Sequence, residues 1–278
     1  MSKKKHRERP SPDSLGLPPV GVDTHAHLDM AGYAPEEIPD ILARAASAGV
    51  ARIGNVFLGP AAYARNARLF AEAPQVFFIL GMHPTECAAY PDSLTAEMEA
   101  AFRADPRLRA VGEIGLDFYW DAAPPEDQKR ALARQLELAR GLDLPVVIHS
   151  RNAEAETLAI LADMGFAGRP LVWHCFGGDP DLADRIMAMG WHVSIPGPVT
   201  YPKNNALARA VAGIPLSRIM LETDAPFLTP EPWRGKRNEP CHLGFTAARI
   251  AEIKGIPAEE VWRATARIAE AFFGLSAL

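Results

Sequence analysis

Cysteine is scarce. Cys87, Cys175 and Cys241 are the three in 278 residues, and their irregular spacing excludes a disulfide framework. Such sparing use fits a reducing compartment, so a cytoplasmic location is expected. Long apolar runs are missing as well. Stretches such as Val76-Phe77-Phe78-Ile79-Leu80 are strand-sized, far below the ~20 residues that cross a bilayer, and no membrane partner is expected. No glycine-rich turn follows the first apolar run, which ends instead in His25-Ala26-His27. That argues against an open doubly wound sheet of the nucleotide-binding kind. Positive charge is not in excess either: 29 Lys and Arg face 34 Asp and Glu, a net charge of −5. Taken alone, this total argues against a nucleic-acid partner. The basic concentration Lys3, Lys4, Lys5, Arg7 and Arg9 leads into a Pro/Ser-containing stretch, not an apolar one. It is therefore not a secretory signal, and residues 1–18 are expected to form a flexible tail.

What the chain does have is alternation. Short apolar runs at 20–28, 51–58, 76–82, 109–116, 146–149, 171–175, 192–195 and 219–223 predict eight strands, most of them followed by an Ala/Leu/Glu/Arg-rich segment. Helices are predicted over 126–140, 153–164 and 181–189. Asn152 and Asp179 suit helix entry, and Gly141 and Gly165 suit helix exit. Leu132, Leu136 and Ala139 form the apolar stripe of the first of these helices. Strand–helix alternation implies parallel strands with right-handed crossovers, and eight units close into a (β/α)8 barrel of the TIM type. Residues 19–278 are read as that single domain.

The polar residues then fall into a pattern. Of eight histidines, His25, His27, His83, His149 and His174 lie at the C-terminal ends of predicted strands, with Glu113 and Asp224 at equivalent places. In a barrel those ends share one face, where active sites are assembled. His25 and His27, two apart on a strand, point to the same side and can reach one ion. Taken singly, His149 or His174 could be a satisfied core histidine, and Asp224 could cap a turn. Together they would stack several uncompensated polar groups at one end of a core. The nitrogen and carboxylate donors of His25, His27, Glu113, His149, His174 and Asp224 suit divalent ions such as Zn2+, Mg2+ or Mn2+. Six ligands exceed what one catalytic ion needs, so two ions about 3.5–4 Å apart are expected, with Glu113 as the bridge. Asp23 and Asp29 are candidates to orient the imidazoles of the first motif, the alternative for Asp29 being that it simply begins the loop.

These blocks resemble the TatD family of metal-dependent hydrolases, often called TatD deoxyribonucleases, among the amidohydrolase-like barrels. The resemblance runs from about Val22 to Gly274. It rests on Asp23-Thr24-His25-Ala26-His27-Leu28, Gly81-Met82-His83-Pro84, Gly112-Glu113-Ile114-Gly115-Leu116-Asp117-Phe118-Tyr119, Leu144-Pro145-Val146-Val147-Ile148-His149-Ser150-Arg151, His174-Cys175-Phe176-Gly177-Gly178, Glu222-Thr223-Asp224-Ala225-Pro226-Phe227-Leu228 and Arg234-Gly235-Lys236-Arg237-Asn238-Glu239-Pro240. It implies a (β/α)8 barrel whose two-metal centre uses the same six ligands. Thr85, Pro196–Pro198 and Ile268 depart from the family pattern; none is a ligand, and Thr85 and Pro196–Pro198 bear on substrate fit.

The implied reaction is hydrolysis of a phosphodiester at DNA ends by a water activated between two metals. One ion would sit on His25 and His27 and the other on His149 and His174, with Asp224 as general base. Expected phosphate contacts are His83, Arg151, Arg234 and Arg237, the last two on a basic loop whose alternative reading is a solvated face. Phe118, Tyr119 and Trp120 could stack bases or simply plug the barrel mouth. DNA, single-stranded or held at an end, is the expected partner, and a monomer the expected state. The competing enzymatic reading hydrolyses an amide, lactone or aminoacyl ester at the same centre. A barrel kept as a binding scaffold would have lost ligands, and all six are present. The acidic total then matters less. Two divalent ions against two ligand carboxylates leave the site positive, which suits a local end-binder rather than a protein that coats long nucleic acid.

Overall fold

Each of eight parallel strands is hydrogen-bonded to the next in chain order, in a single sheet. The structure, a computed structural model, describes residues 9–276. The elements run β1 (Gly21–Ala26), α1 (Ile38–Ser47), β2 (Val50–Leu58), α2 (Pro60–Asn66), β3 (Val76–Gly81), α3 (Asp92–Ala104), β4 (Leu108–Asp117) and α4 (Pro125–Leu142). There follow β5 (Val146–Arg151), α5 (Glu154–Asp163), β6 (Leu171–Trp173), α6 (Pro180–Ala188), β7 (His192–Ile195), α7 (Asn205–Gly213), β8 (Ile219–Leu221), α8 (Leu243–Lys254) and α9 (Ala258–Phe273). All eight predicted strands are present, as the barrel reading requires.

The sheet curls until its last strand meets its first. An isolated parallel bridge joins Ala26 to Ala225, and the His25 carbonyl accepts from the Asp224 N–H at 2.9 Å. The Asp23 carboxylate clamps the same seam. It accepts from the Thr223 N–H at 2.9 Å and hydroxyl at 2.6 Å.

Two apolar layers follow from strand alternation. Val22, Val56, Phe77, Ile79, Ala110, Val147, Val172 and Met220 fill the barrel interior. The intervening positions pack beneath the surrounding helices. α9 closes the N-terminal end, its Ala266, Ala269 and Phe273 joining the interior cluster. Gly21 is required by this closure, since a Cβ there would lie 1.9 Å from Trp262.

Some local expectations are corrected. Asp179 does cap α6, accepting from the Leu182 N–H at 3.0 Å, worth about 1 kcal/mol. Gly165 leaves α5 in the left-handed region, as expected. Asn152, by contrast, caps nothing with its side chain at the start of α5 and itself takes a left-handed turn (φ 55). Gly141 lies inside α4, and Asp143 makes the left-handed exit instead. Of the expected tail, residues 1–8 lie outside the described residues. Residues 9–18 rest on the barrel: Trp233 Nε1 donates to the Pro10 carbonyl at 3.0 Å, and Trp262 Nε1 to the Pro18 carbonyl at 2.8 Å. All three cysteines are free thiols. Among the described residues, no helix is long and apolar enough to cross a membrane.

Candidate metal centre

The expected ligands converge at the C-terminal ends of the strands. His25 ends in Nε2 3.2 Å from Nε2 of His27, as the same-side argument requires. Glu113 sits between the histidines, from inside β4 rather than at its end. The β4–β5 register shifts between Val111 and Ile114, which brings Glu113 into the cluster. Gly115 allows the close approach that follows: a Cβ there would meet the His149 carbonyl at 1.8 Å, in a backbone conformation (φ 151) that side chains avoid.

The two carboxylate oxygens of Glu113 face different partners. Oε2 lies 3.3 Å from His25 and 3.7 Å from His27. Oε1 lies 2.6 Å from His149 Nδ1, 2.8 Å from His174 Nε2 and 3.5 Å from His83 Nε2. Asp224 approaches His27 at 3.5 Å and His25 at 3.9 Å through Oδ1. It does so from a left-handed backbone conformation (φ 54), a strained state that recurs at functional sites.

A second layer of contacts aims these groups. His27 Nδ1 donates to the Val56 carbonyl at 3.2 Å, which leaves its Nε2 lone pair facing the cluster. His83 is the reverse case. Its Nδ1 accepts from the Thr85 hydroxyl at 2.7 Å and N–H at 3.2 Å, so Nε2 carries the hydrogen and acts as a donor. His174 Nδ1 lies 3.4 Å from Glu222, which also accepts from the Cys175 N–H at 2.6 Å and from the Ser194 hydroxyl. His149 Nε2 meets Asp117 Oδ2 at 3.0 Å, while Asp117 Oδ1 accepts from the N–H groups of Tyr119 and Trp120. Two glutamines of α4 hold the strand ends. Gln135 bonds both the N–H and the carbonyl of Met82, and Gln128 both those of Asp117.

Charge balance inside the cluster is tight. Burial pushes Glu113 up, but the charge of His174 and the bonds from His149 and His174 hold its carboxyl well below the usual range. Burial also opposes charge on His174, yet Glu113 and Glu222 drive it well above the ordinary histidine value. His25 goes down, through burial and the neighbouring His174. Asp23, fully buried at the seam, is pushed up to about 7 by desolvation.

The donor set fits divalent cations. Three groups of donors lie close enough to share an ion: His25, His27 and Asp224; His25, Glu113 and His174; and His83, Asp117 and His149. Two imidazole nitrogens 3.2 Å apart, each able to bond an ion at about 2.0–2.1 Å, subtend an angle near tetrahedral. Without a cation, buried carboxylates and imidazoles can balance only through protons, which metal binding displaces.

The site opens into a cleft of about 790 Å3, lined by His27, His83, Glu113, His149, His174 and Asp224 together with Arg151, Trp120, Trp173 and Phe227. Arg151 lies 3.8 Å over the Tyr119 ring. Arg234 and Arg237 are not brought to this cleft. Arg234 sits 4.0 Å over Tyr201, and Arg237 is bound to Glu37 at 2.8 Å and to Glu239 at 3.3 Å. The expected orienting roles of Asp23 and Asp29 are also corrected. Asp23 bonds backbone and Thr223, while Asp29 accepts from Asn55 and Asn66, and neither touches an imidazole. Asp117 and Glu222 do touch imidazoles, although sequence reasoning did not single them out; their only signal was a place beside Glu113 and Asp224 in the same blocks.

A profile of the family described as TatD related DNase matches residues 22–274. The chain belongs to the TatD family. The metal-dependent hydrolase YabD of Bacillus subtilis, itself described as uncharacterized, is 34% identical over 91% of this chain and 99% of its own. The similarly described TatD protein of Mycobacterium tuberculosis is 35% identical over 91% of this chain and 98% of its own. The crystal structure of YjjV, a TatD homologue from Escherichia coli K12, matches with a TM-score of 0.86 at 30% identity, over 93% of this chain and 99% of that one. The barrel described above is thus a TatD barrel, and this chain a metal-dependent hydrolase of that family.

Proposed function

We propose that this TatD-family hydrolase is a deoxyribonuclease that cleaves phosphodiesters at DNA ends, using two divalent ions. The observation that carries the two-ion reading is the split of Glu113, one oxygen toward His25 and His27 and the other toward His149 and His174. His25, His27 and Asp224 would hold one ion and His149 and His174 the other, with Glu113 common to both. Zn2+, Mg2+ or Mn2+ bound there would offset phosphate charge and make water a stronger acid.

The chain's own groups supply the rest. Asp224 borders both the histidines and the cleft, where its carboxylate can take the proton of the attacking water. His83, which carries a donor at Nε2, and Arg151 can bind the non-bridging phosphate oxygens. Tyr119, Trp120 and Phe227 are each at least half exposed, although large and apolar. At a cleft mouth such rings stack unpaired bases, which favours a single-stranded or frayed end over intact duplex. Asp117 and Glu222 stand behind the imidazoles of His149 and His174 and add their charge to that of Glu113 and Asp224. The four carboxylates Glu113, Asp224, Asp117 and Glu222 would balance two divalent ions, and Glu86 and Glu154 also line the cleft, so Arg151, the sole Arg or Lys among the described residues lining it, sets the attraction for phosphate.

The test is a substrate screen of the metal-loaded protein with single-stranded DNA, RNA, a generic phosphodiester, an amide and an aminoacyl ester. DNA is expected to be cleaved fastest, with activity lost on chelation and in Glu113→Gln and Asp224→Asn at unchanged folding. Preferred cleavage of the amide or aminoacyl ester, or wild-type turnover by metal-loaded Asp224→Asn, would overturn the reading.

A further inference from the structure

The end of the barrel opposite the metal centre carries a second basic feature. Arg52 lies near the start of β2, Arg107 just before β4, and Arg109 within it. With Pro74, Gln75, Val76, Phe77, Leu275 and Ser276 they line a cavity of about 210 Å3. One of the three guanidinium groups is accounted for. Arg107 pairs with Asp105 at 3.1 Å, donates to the Phe70 carbonyl at 3.3 Å and lies 4.2 Å over Phe78. Arg52 and Arg109 have no ion pair or hydrogen bond among the described residues, and the Nε atom of each is buried without a partner.

A buried donor left unsatisfied is costly, and more so when it is charged. Two neighbouring cations in this state repel each other as well. The arrangement is therefore unfavourable for the empty protein and favourable for a bound anion. The C-terminal end of α9, which Leu275 and Ser276 extend, carries partial negative charge, but it makes no hydrogen bond to either guanidinium. Guanidinium forks match the oxygens of a phosphoryl group, and Arg107 is already held in place by its own partners. The remaining walls, Pro74, Val76, Phe77 and Leu275, are apolar, and the space suits a phosphoryl group with a few carbons rather than a nucleotide chain.

We propose that Arg52, Arg107 and Arg109 form an anion site at the N-terminal end of the barrel, which takes the phosphoryl group of a small phosphorylated molecule. It is separate from the metal centre and independent of the nuclease reading.

The experiment is equilibrium dialysis of the metal-loaded, full-length protein against orthophosphate, counting phosphate bound per chain. Phosphate at the metal centre is common to all variants. Wild type is expected to bind one phosphate per chain more than Arg52→Gln or Arg109→Gln, while inhibition of hydrolysis by phosphate stays equal in all three and shows that the cleft is intact. Thermal unfolding gives a second readout: phosphate should raise the melting temperature of wild type by more than that of either variant. Glycerol 3-phosphate is expected to displace the extra phosphate. Equal stoichiometry and equal thermal response in wild type and both variants would overturn the site. Displacement by a 5′-phosphorylated phosphorothioate oligonucleotide and not by glycerol 3-phosphate would overturn the small-molecule assignment.

Discussion

Asp117 accepts a hydrogen bond from His149 at 3.0 Å through Oδ2 and, through Oδ1, fixes the backbone of Tyr119 and Trp120. One side chain thus ties a candidate ligand to the aromatic rim. Asp117→Asn separates the two duties. An asparagine oxygen still accepts from the two N–H groups, as at a helix cap, but brings no charge to His149. Carboxylates behind ligating histidines are worth about 10–100-fold in metal affinity or activity. A loss of that size in kcat/KM is expected, with the melting temperature little changed. Metal content measured alongside the kinetics checks it, and full activity at full metal content would remove Asp117 from the mechanism.

Gln135 illustrates how the outer helix layer serves the site. Its amide accepts from the Met82 N–H at 2.7 Å and donates to the Met82 carbonyl at 3.2 Å, immediately before His83. Gln135→Leu leaves both peptide groups without partners, which costs about 1–3 kcal/mol. The urea midpoint should fall with an unchanged slope. The rate should fall too, because His83 loses the anchor beside it, and a leucine variant of wild-type stability would refute the argument.

The barrel was legible because its strands are short apolar runs punctuated at their ends by His, Glu and Asp, types that a buried strand otherwise excludes. What sequence could not show was direction and distance. Arg237 looked like a phosphate clamp beside Asn238 and Glu239, but its principal partner is Glu37, 200 residues away. Gly141 looked like a helix end because glycine tolerates the left-handed region. Asp143 takes that conformation instead, two residues later, and α4 gains the length to carry Leu142. Asp117 and Glu222 stand near the candidate ligands in sequence, as do Asp23 and Asp29. Only the fold shows that the first pair faces imidazoles while the second faces backbone, a threonine and two amides.

The arginines separate in function as they do in space. Arg151 lines the cleft, whereas Arg237 is committed to Glu37, Glu239 and the Gly32 carbonyl. Arg151→Gln is expected to raise KM for DNA and to reduce the slope of log affinity against log salt by about one, as loss of one phosphate contact does. Arg237→Gln should leave both unchanged and lower the melting temperature. Fluorescence anisotropy with a phosphorothioate strand at several salt concentrations measures the slope, and the reverse outcome would return the basic loop to the substrate site.

Stability should also depend on pH through a histidine far from the metal centre. His192 starts β7, its Nδ1 buried without a partner and its ring 5.5 Å from Phe272. Burial, with a smaller push from Arg218, lowers its pKa to about 4 from 6.5. Below pH 6.5 the unfolded chain binds a proton here that the folded chain refuses until about pH 4. Stability is therefore lost as pH falls through that window and regained as it rises. Allowing for the partial exposure of the ring, the loss is about 1–2 kcal/mol. His192→Leu removes this titration, leaving His242, also lowered to about 4, as a separate contributor. Urea melts of both proteins at several pH values between 4 and 7 should show the variant gaining on wild type as pH drops. Parallel curves would mean that His192 is accommodated in its charged form.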